Sequence, residues 1–427
     1  DFSWQARLEG KPDGTIECTL AGTAGAPFLY NRIGLCLLHP IQGFAGQPFY
    51  AVTPDGPVSG RLPVQIGPQR IVNGFETPLF PSFTSLSITL ADGTRLAADF
   101  EGDLFEMEDQ RNWSDGSFKT YSTPISQGYP RQAHAGQTFF QKVTVRVESP
   151  APSVRPAPFE AGGPVHLTLG DETGCRLPRL GFGIPGGDEA PAERECALIA
   201  RLRPDHLKAE LFLEDSAWPK RLEQVAQVSA WGGSPLELAL FVGGSPHLAL
   251  ERLAGRLAGI PLARIIVFHE AEAGWGVTSP RWLELARRAL AGACPGVPFL
   301  GGTNANFAQL NCRPFETALM DGVSYSLNPQ VHAFDERSLV EGIEAQRDTV
   351  VSAREIAGGL PVTVSSVTLK PPVGPGASAA ESQASADQLP GSVDPRQMSL
   401  FAAAWTAGSL RSLSAGGADS VTYYQMC

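Results

Sequence analysis

The chain has 427 residues, 43% of them hydrophobic and 18% charged, which is a globular composition too long for one small core. Its formal charge of −11 argues against nucleic acid or an anionic membrane surface as a partner. No apolar run approaches the ~18 residues that a membrane span requires, and the start, DFSWQARLEG, shows neither a signal-peptide pattern nor an initiator Met, so residues upstream remain open.

Residues 1–158 read as β. Short apolar runs at 28–30, 34–38, 85–90 and 142–147 are separated by Gly, Pro, Asp and Asn. In QKVTVRVE, residues 141–148, Val143, Val145 and Val147 alternate with Lys142, Thr144 and Arg146, the pattern of a half-buried antiparallel strand. Many such strands predict a β-sandwich, and NRIGLCLLHP, residues 31–40, is similar to carbohydrate-handling sandwiches of the mutarotase type. The seven cysteines, Cys18, Cys36, Cys175, Cys196, Cys294, Cys312 and Cys427, are odd in number and lack C-x-x-C spacing. Buried free thiols in a reducing cytoplasm are therefore expected, rather than a disulfide framework or a structural zinc site.

Residues 105–121, FEMEDQRNWSDGSFKTY, break the β rhythm with a dense set of charges and aromatics. No period-2 or helical apolar face runs through them, so they read as a loop that carries function or as a solvated turn in which Arg111 and Lys119 neutralise acidic neighbours. Glu108, Asp109, Gln110, Arg111, Asn112, Trp113, Asp115, Ser117, Phe118, Lys119 and Tyr121 match an EDQRNW-x-D-x-SFK-x-Y pattern. In this the chain resembles the D-apionate lactonase family, from Asn31-Arg32-Ile33-Gly34 through to residues 420–424. The resemblance implies an N-terminal β domain joined to a TIM-type barrel, with hydrolysis of a sugar-acid lactone as the activity.

The tract 149–163, SPAPSVRPAPFEAGG, reads as a linker, because proline removes donors and favours extended chain. The domains are accordingly 1–158 and 159–427. Beyond the linker, strand candidates at 180–184, 206–213, 236–242, 263–268, 298–302, 322–327, 361–367 and 419–424 alternate with helical runs at 193–202, 219–231, 246–257, 281–290, 338–356 and 395–414. Eight such units predict a (β/α)8 TIM-type barrel, so the chain is multi-domain: an all-β sandwich followed by an α/β barrel. No helical run follows the eighth strand, which points to a native chain that continues. The insertion 369–396, rich in Pro, Gly, Ser and Ala, reads equally as a mobile lid or as disorder.

Barrel chemistry sits at the carboxyl ends of the strands. There the sequence places Glu214 and Asp215, His269, Glu270 and Glu272, Asn304 and Asn306 with Gln309 and Asn311, Asn328, Gln330, His332 and Asp335, and finally Tyr424 and Gln425. Amides, carboxylates and imidazoles in this density suit a hydroxyl-rich ligand. Glu270, launched from the apolar run IIVF, is the leading general base, and desolvation there would favour its protonated form. Its bland alternative is a rim carboxylate that caps the next helix. In HLKAELFL, His206, Lys208, Glu210 and Phe212 share one parity and face the barrel interior. Lys208 and Glu210 are either a structural ion pair or a site pair, with Glu210 a base and Lys208 a stabiliser of negative charge. For His269 and His332 ordinary hydrogen bonding is the alternative to proton transfer.

The substrate-contact set expected beside these three is Glu108, Asp109, Arg111, Asn112, Lys119, His269, Asn304, Asn306, His332, Tyr424 and Gln425. No His-x-x-x-His, nucleophile elbow or phosphate loop is present, so no metal or cofactor is implied, and only a His/Asp/Glu metal site assembled from several strands stays open. The expected partner is a small sugar lactone or other carbohydrate. Two other functions stay open. A barrel glycoside hydrolase needs two opposed carboxyl groups, and strand seven ends without one. A carbohydrate-binding protein without catalysis gains weight from Gln425, which stands where the resemblance implies a glutamate.

Overall fold

The computed structural model describes residues 1–68, 71–72, 75–148, 166, 168, 170–172, 174, 176–186, 193–273, 276–313, 315–371, 389 and 393–425. The expected linker at 149–163 and most of the 369–396 insertion lie outside these residues. The chain divides into two compact units: Asp1–Val64, Gln69–Gln110 and Ser117–Cys175 form the first, and Gln65–Pro68, Arg111–Gly116 and Arg176–Cys427 the second.

The first unit is antiparallel β. A seven-stranded sheet runs in the order Phe2–Gly10, Ile16–Ala24, Thr138–Glu148, Arg95–Glu101, Ser85–Thr89, Pro48–Thr53 and Gly56–Arg61. A three-stranded sheet comprises Glu106–Asp109, Ser117–Tyr121 and Cys36–Pro40. Both contribute to one apolar core, in which Ala51, Leu86, Ile88, Ala98, Phe100 and Val143 meet Phe105, Met107 and Phe118. The alternation read in 141–148 fades toward its end: Val143 is buried, but Val147 is 56% exposed.

The stretch read as a loop is a hairpin, which corrects that expectation. Glu106 pairs with Tyr121, Glu108 with Lys119 and Asp109 with Phe118, and Gln110–Trp113 forms a 3-10 turn at its tip. Its polar strand residues are buried and satisfied within the sheet: Lys119 Nζ lies 3.1 Å from Glu108 Oε2, and the Tyr121 hydroxyl donates to Glu106 Oε1 at 2.7 Å. Hydropathy alternation cannot flag a strand whose buried face is ionic. Cysteine burial also needs correction. Among the described thiols only Cys294 is buried, Cys36 is exposed, and Cys18, Cys196 and Cys312 are half-buried.

The second unit is a closed barrel of eight parallel strands: β1 (Arg179–Gly183), β2 (His206–Phe212), β3 (Leu236–Val242), β4 (Leu262–His269), β5 (Phe299–Gly302), β6 (Gly322–Leu327), β7 (Val362–Val367) and β8 (Ser420–Gln425). Strand parity sorts the side chains. Leu207, Ala209, Leu211, Leu238, Leu240, Ile265 and Val267 belong to the large outer core shared with the helices, while Ala239, Phe241, Ile266, Phe268 and Leu300 form a separate cluster. This separation is what a strand buried on both faces requires, and it explains runs such as LELALFV. The helix Phe307–Cys312, between β5 and β6, has no counterpart among the runs read from sequence. No helix among the described residues is long and apolar enough to cross a membrane.

Candidate active site at the carboxyl end of the barrel

At the amino end of the barrel interior lies a buried polar cluster that the sequence reading missed. Glu237 Oε1 accepts from Ser365 Oγ at 2.5 Å and from Thr422 Oγ1 at 3.3 Å, and its Oε2 lies 3.4 Å from Arg264 Nε and 3.6 Å from His206 Nε2. Arg264 also donates to Thr363 Oγ1 at 2.9 Å. Burial pushes the His206 imidazole down to about 4, so it is neutral at physiological pH. Burial alone would raise Glu237, but the positive charges of Arg264 and Lys208 and the Ser365 hydroxyl hold the carboxyl below its ordinary value. With His206 neutral, Arg264 is the nearest countercharge. Gly181 makes the cluster possible, because a Cβ there would lie 2.2 Å from His206 Nε2. The parity of LELALFV would have placed Glu237 inside, had its single charge been followed.

Two residues further along β2, Lys208 is buried, and its Nζ donates to Ser366 Oγ at 3.0 Å and lies 3.5 Å from Glu210 Oε1. Glu210 is 41% exposed, so the pair is half in solvent and its desolvation cost is far below that of a fully buried ion pair. Ser366 in turn donates its backbone N–H to Ser326 Oγ at 3.2 Å. The structure thus joins Lys208 and Glu210, as their parity implied, and adds Ser366 and Ser326 from β7 and β6.

At the end of β4, the Glu270 backbone N–H donates to Val242 O at 2.9 Å and extends the ladder by one residue. Its side chain is exposed, and the carboxylate has no partner among the described residues, which corrects the expectation of a desolvated base. Nor does Glu270 cap the next helix. That role falls to Glu272, which accepts from Ser279 Oγ at 2.9 Å and Trp282 Nε1 at 3.1 Å at the start of Pro280–Leu290. His269 stacks on Trp282, with centroids 4.2 Å apart, and its Nδ1 accepts the Ala271 N–H at 3.2 Å.

The remaining expected contacts are distributed. Asn306 Oδ1 accepts from Asn328 Nδ2 at 2.9 Å, and Asn304 lines a crevice of only about 10 Å³ with Phe268, His269 and Glu272. Tyr424 takes a left-handed backbone (φ 44°), and its hydroxyl lies 2.8 Å from Thr406 Oγ1, while Gln425 is exposed opposite Gly183. Glu108 and Lys119 pair with each other within the hairpin, and Asp109 is buried there. Arg111–Gly116 belong instead to the barrel unit. Fully buried Arg111 donates to Asp348 Oδ2 at 2.8 Å, Asn112 Oδ1 accepts from Asn311 Nδ2 at 2.7 Å, and Asp115 Oδ2 lies 2.6 Å from His332 Nδ1. Trp113 meets His332 edge to face at 6.2 Å. Gly116 is needed for this approach, since a Cβ there would sit 2.6 Å from Glu341 O.

Past β6, Gln330 donates to both Leu369 O (2.7 Å) and Asp394 Oδ2 (2.6 Å), and Arg396 forks onto Asp394. The Arg396 hydrogen bonds hold the Asp394 carboxyl far below the usual range. A cavity of about 230 Å³ lies in the first unit among Leu37, His39, Phe44, Leu86, Ile88 and Val145. Its apolar lining offers a sugar almost no hydrogen bonds, so the barrel mouth is the better candidate site.

The sequence matches the model of the D-apionate lactonase N-terminal domain over residues 1–150 and that of the D-apionate lactonase TIM barrel domain over residues 180–427. A D-apionate lactonase from Brucella anthropi is 28% identical over 97% of this chain and 68% of its own length. Among solved structures, a family 39 glycoside hydrolase from the gut symbiont Bacteroides cellulosilyticus WH2 is 10% identical, with TM-score 0.39 over 90% of this chain and 70% of that one. An alpha-L-arabinofuranosidase from Thermotoga maritima is 10% identical, with TM-score 0.43 over 59% and 64%. Superpositions that loose decide nothing about function. The two domain matches, which together span most of the sequence, are decisive on ancestry: this chain belongs to the D-apionate lactonase family.

Proposed function

We propose that this protein hydrolyses a five-carbon sugar-acid lactone of the D-apionate type to the open hydroxy acid, a step in carbohydrate catabolism. The observation that carries the reading is the family match across both domains, together with a relative named for that activity. The barrel mouth is chemically suited to it. Glu270 is exposed and, among the described residues, unpaired, which supports a role in taking a proton from water as its oxygen bonds to the lactone carbonyl carbon. Lys208, held by Ser366 and Glu210, supplies positive charge for the oxyanion that develops. Collapse of the tetrahedral intermediate breaks the ring C–O bond, and the proton returns to the departing ring oxygen.

Proton release at constant pH, measured with a panel of five-carbon aldonolactones against a Glu270→Gln control, tests the reading. Release above background that the control loses supports both the reaction and the base. No release from any lactone overturns it, and release that the control keeps moves the base to Glu210.

A further inference from the structure

The interior wall of the barrel has two chemically different sides. Ala239, Phe241, Ile266, Phe268 and Leu300, on β3, β4 and β5, make one side apolar and aromatic. Lys208, Glu210, Ser326 and Ser366 make the other polar and hydrogen-bonded. Phe212, the last residue of β2, stands where the two sides meet. Its ring stacks on Phe241, with centroids 4.4 Å apart and planes 13° apart, and Phe241 lies 5.2 Å from Phe268.

Phe212 is nevertheless 45% exposed, so the packed ladder ends in an aromatic ring open to solvent. It follows Lys208 and Glu210 in the same inward row, and alternate residues of a strand are about 6.6 Å apart, so the ring is one step nearer the mouth than Glu210. A phenyl face carries negative partial charge and attracts C–H bonds polarised by neighbouring oxygens, whereas it repels a carboxylate.

We propose that Phe212 is the platform on which the hydrogen-bearing face of a closed five-membered ring stacks, with the ring oxygens turned toward Lys208, Glu210 and Ser366. Phe212 is then the residue that distinguishes the ring-closed lactone from its open-chain, carboxylate product. This rests on the lactonase reading and names how that site selects its substrate.

The test compares Phe212→Ala, Phe212→Leu and Phe212→Trp with the wild type. Loss of the aromatic face in the Ala and Leu variants raises KM for the lactone about tenfold, the size of one aromatic contact, and leaves kcat within about threefold. Phe212→Trp keeps KM near the wild-type value, and inhibition by the open hydroxy acid stays unchanged in all three. The Leu variant keeps apolar bulk, so a fold defect confined to Phe212→Ala is separable by thermal melting. An unchanged KM in a folded Leu variant overturns the proposal, as does an equal shift in product inhibition. Saturation-transfer NMR with a 1,4-anhydropentitol, a ring ether with no bond to hydrolyse, reads stacking without turnover. Transfer from aromatic protons to its ring C–H groups, lost in Phe212→Leu, supports the platform even where no lactone is turned over, and absence of transfer in the wild type overturns it.

Discussion

Asp115 Oδ2 lies 2.6 Å from His332 Nδ1, so a carboxylate in the tip of the hairpin stretch fixes one nitrogen of an imidazole that follows β6. With Arg111–Asp348 and Asn112–Asn311, this contact shows what three of the residues between Gln110 and Ser117 do: Arg111, Asn112 and Asp115 each spend a polar group on a residue of the same compact unit, far away in the chain. The pattern of this stretch reads as a loop or a solvated turn, whereas its central residues make specific polar contacts within one compact unit.

The first prediction concerns that pair. The His332 side chain is 35% exposed and that of Asp115 15%, so solvent screens the interaction, and a coupling energy of about 1 kcal/mol is expected. A double-mutant cycle with Asp115→Ala and His332→Ala, followed by urea denaturation, measures it. Strict additivity of the two substitutions would show that the contact contributes nothing.

Arg111 should be far less tolerant. It is fully buried against Asp348, so Arg111→Ala removes one partner of an ion pair and should destabilise the protein by about 3–5 kcal/mol. Arg111→Lys should recover less than half of the loss, because an ammonium cannot reproduce the planar guanidinium fork. Denaturant midpoints of the two variants decide this, and a lysine variant as stable as the wild type would refute it.

Stability should also depend on pH through His206. Its folded-state value of about 4 lies below the ordinary 6.5, so the unfolded chain takes up the proton first as pH falls. The contribution is complete above about 6.5 and is lost as pH drops toward about 4, up to ~3 kcal/mol at one pKa unit per 1.36 kcal/mol. Glu237, ionised in the folded state, adds in the same direction at lower pH. Thermal melts from pH 7.5 to 4.5 should show a shallower decline in His206→Asn than in the wild type, and parallel curves would contradict the assignment.

Lys208→Met tests the oxyanion role. It keeps the chain length and removes the charge, and should lower lactone turnover about 10²–10³-fold, the usual effect of deleting one such stabiliser. Single-turnover kinetics should place the loss in the chemical step. A drop confined to KM would make Lys208 a binding residue.

The eight barrel strands were legible almost residue for residue, because short strand-like runs alternate regularly with helix-length segments. His206, Lys208 and Glu210 could be assigned to the interior because side-chain parity in a strand is local and leaves no freedom. The hairpin at 106–121 was hidden because its burial is ionic, and ionic burial leaves no hydropathy signal. Glu270 shows the opposite limit, since an apolar strand predicts where a carboxylate emerges but not whether anything covers it.

The sequence by itself determined the family, the parallel barrel and the parity of its strands, all of which depend on periodicity and local pattern. Only the tertiary structure decided which charges meet. Glu237 with Arg264, Lys208 with Ser366, Asp115 with His332 and Arg111 with Asp348 are separated by 27 to 237 positions in the chain. The first two pairings depend on barrel closure and strand register, the last two on where a turn distant in the chain is placed, and no local pattern encodes either distance.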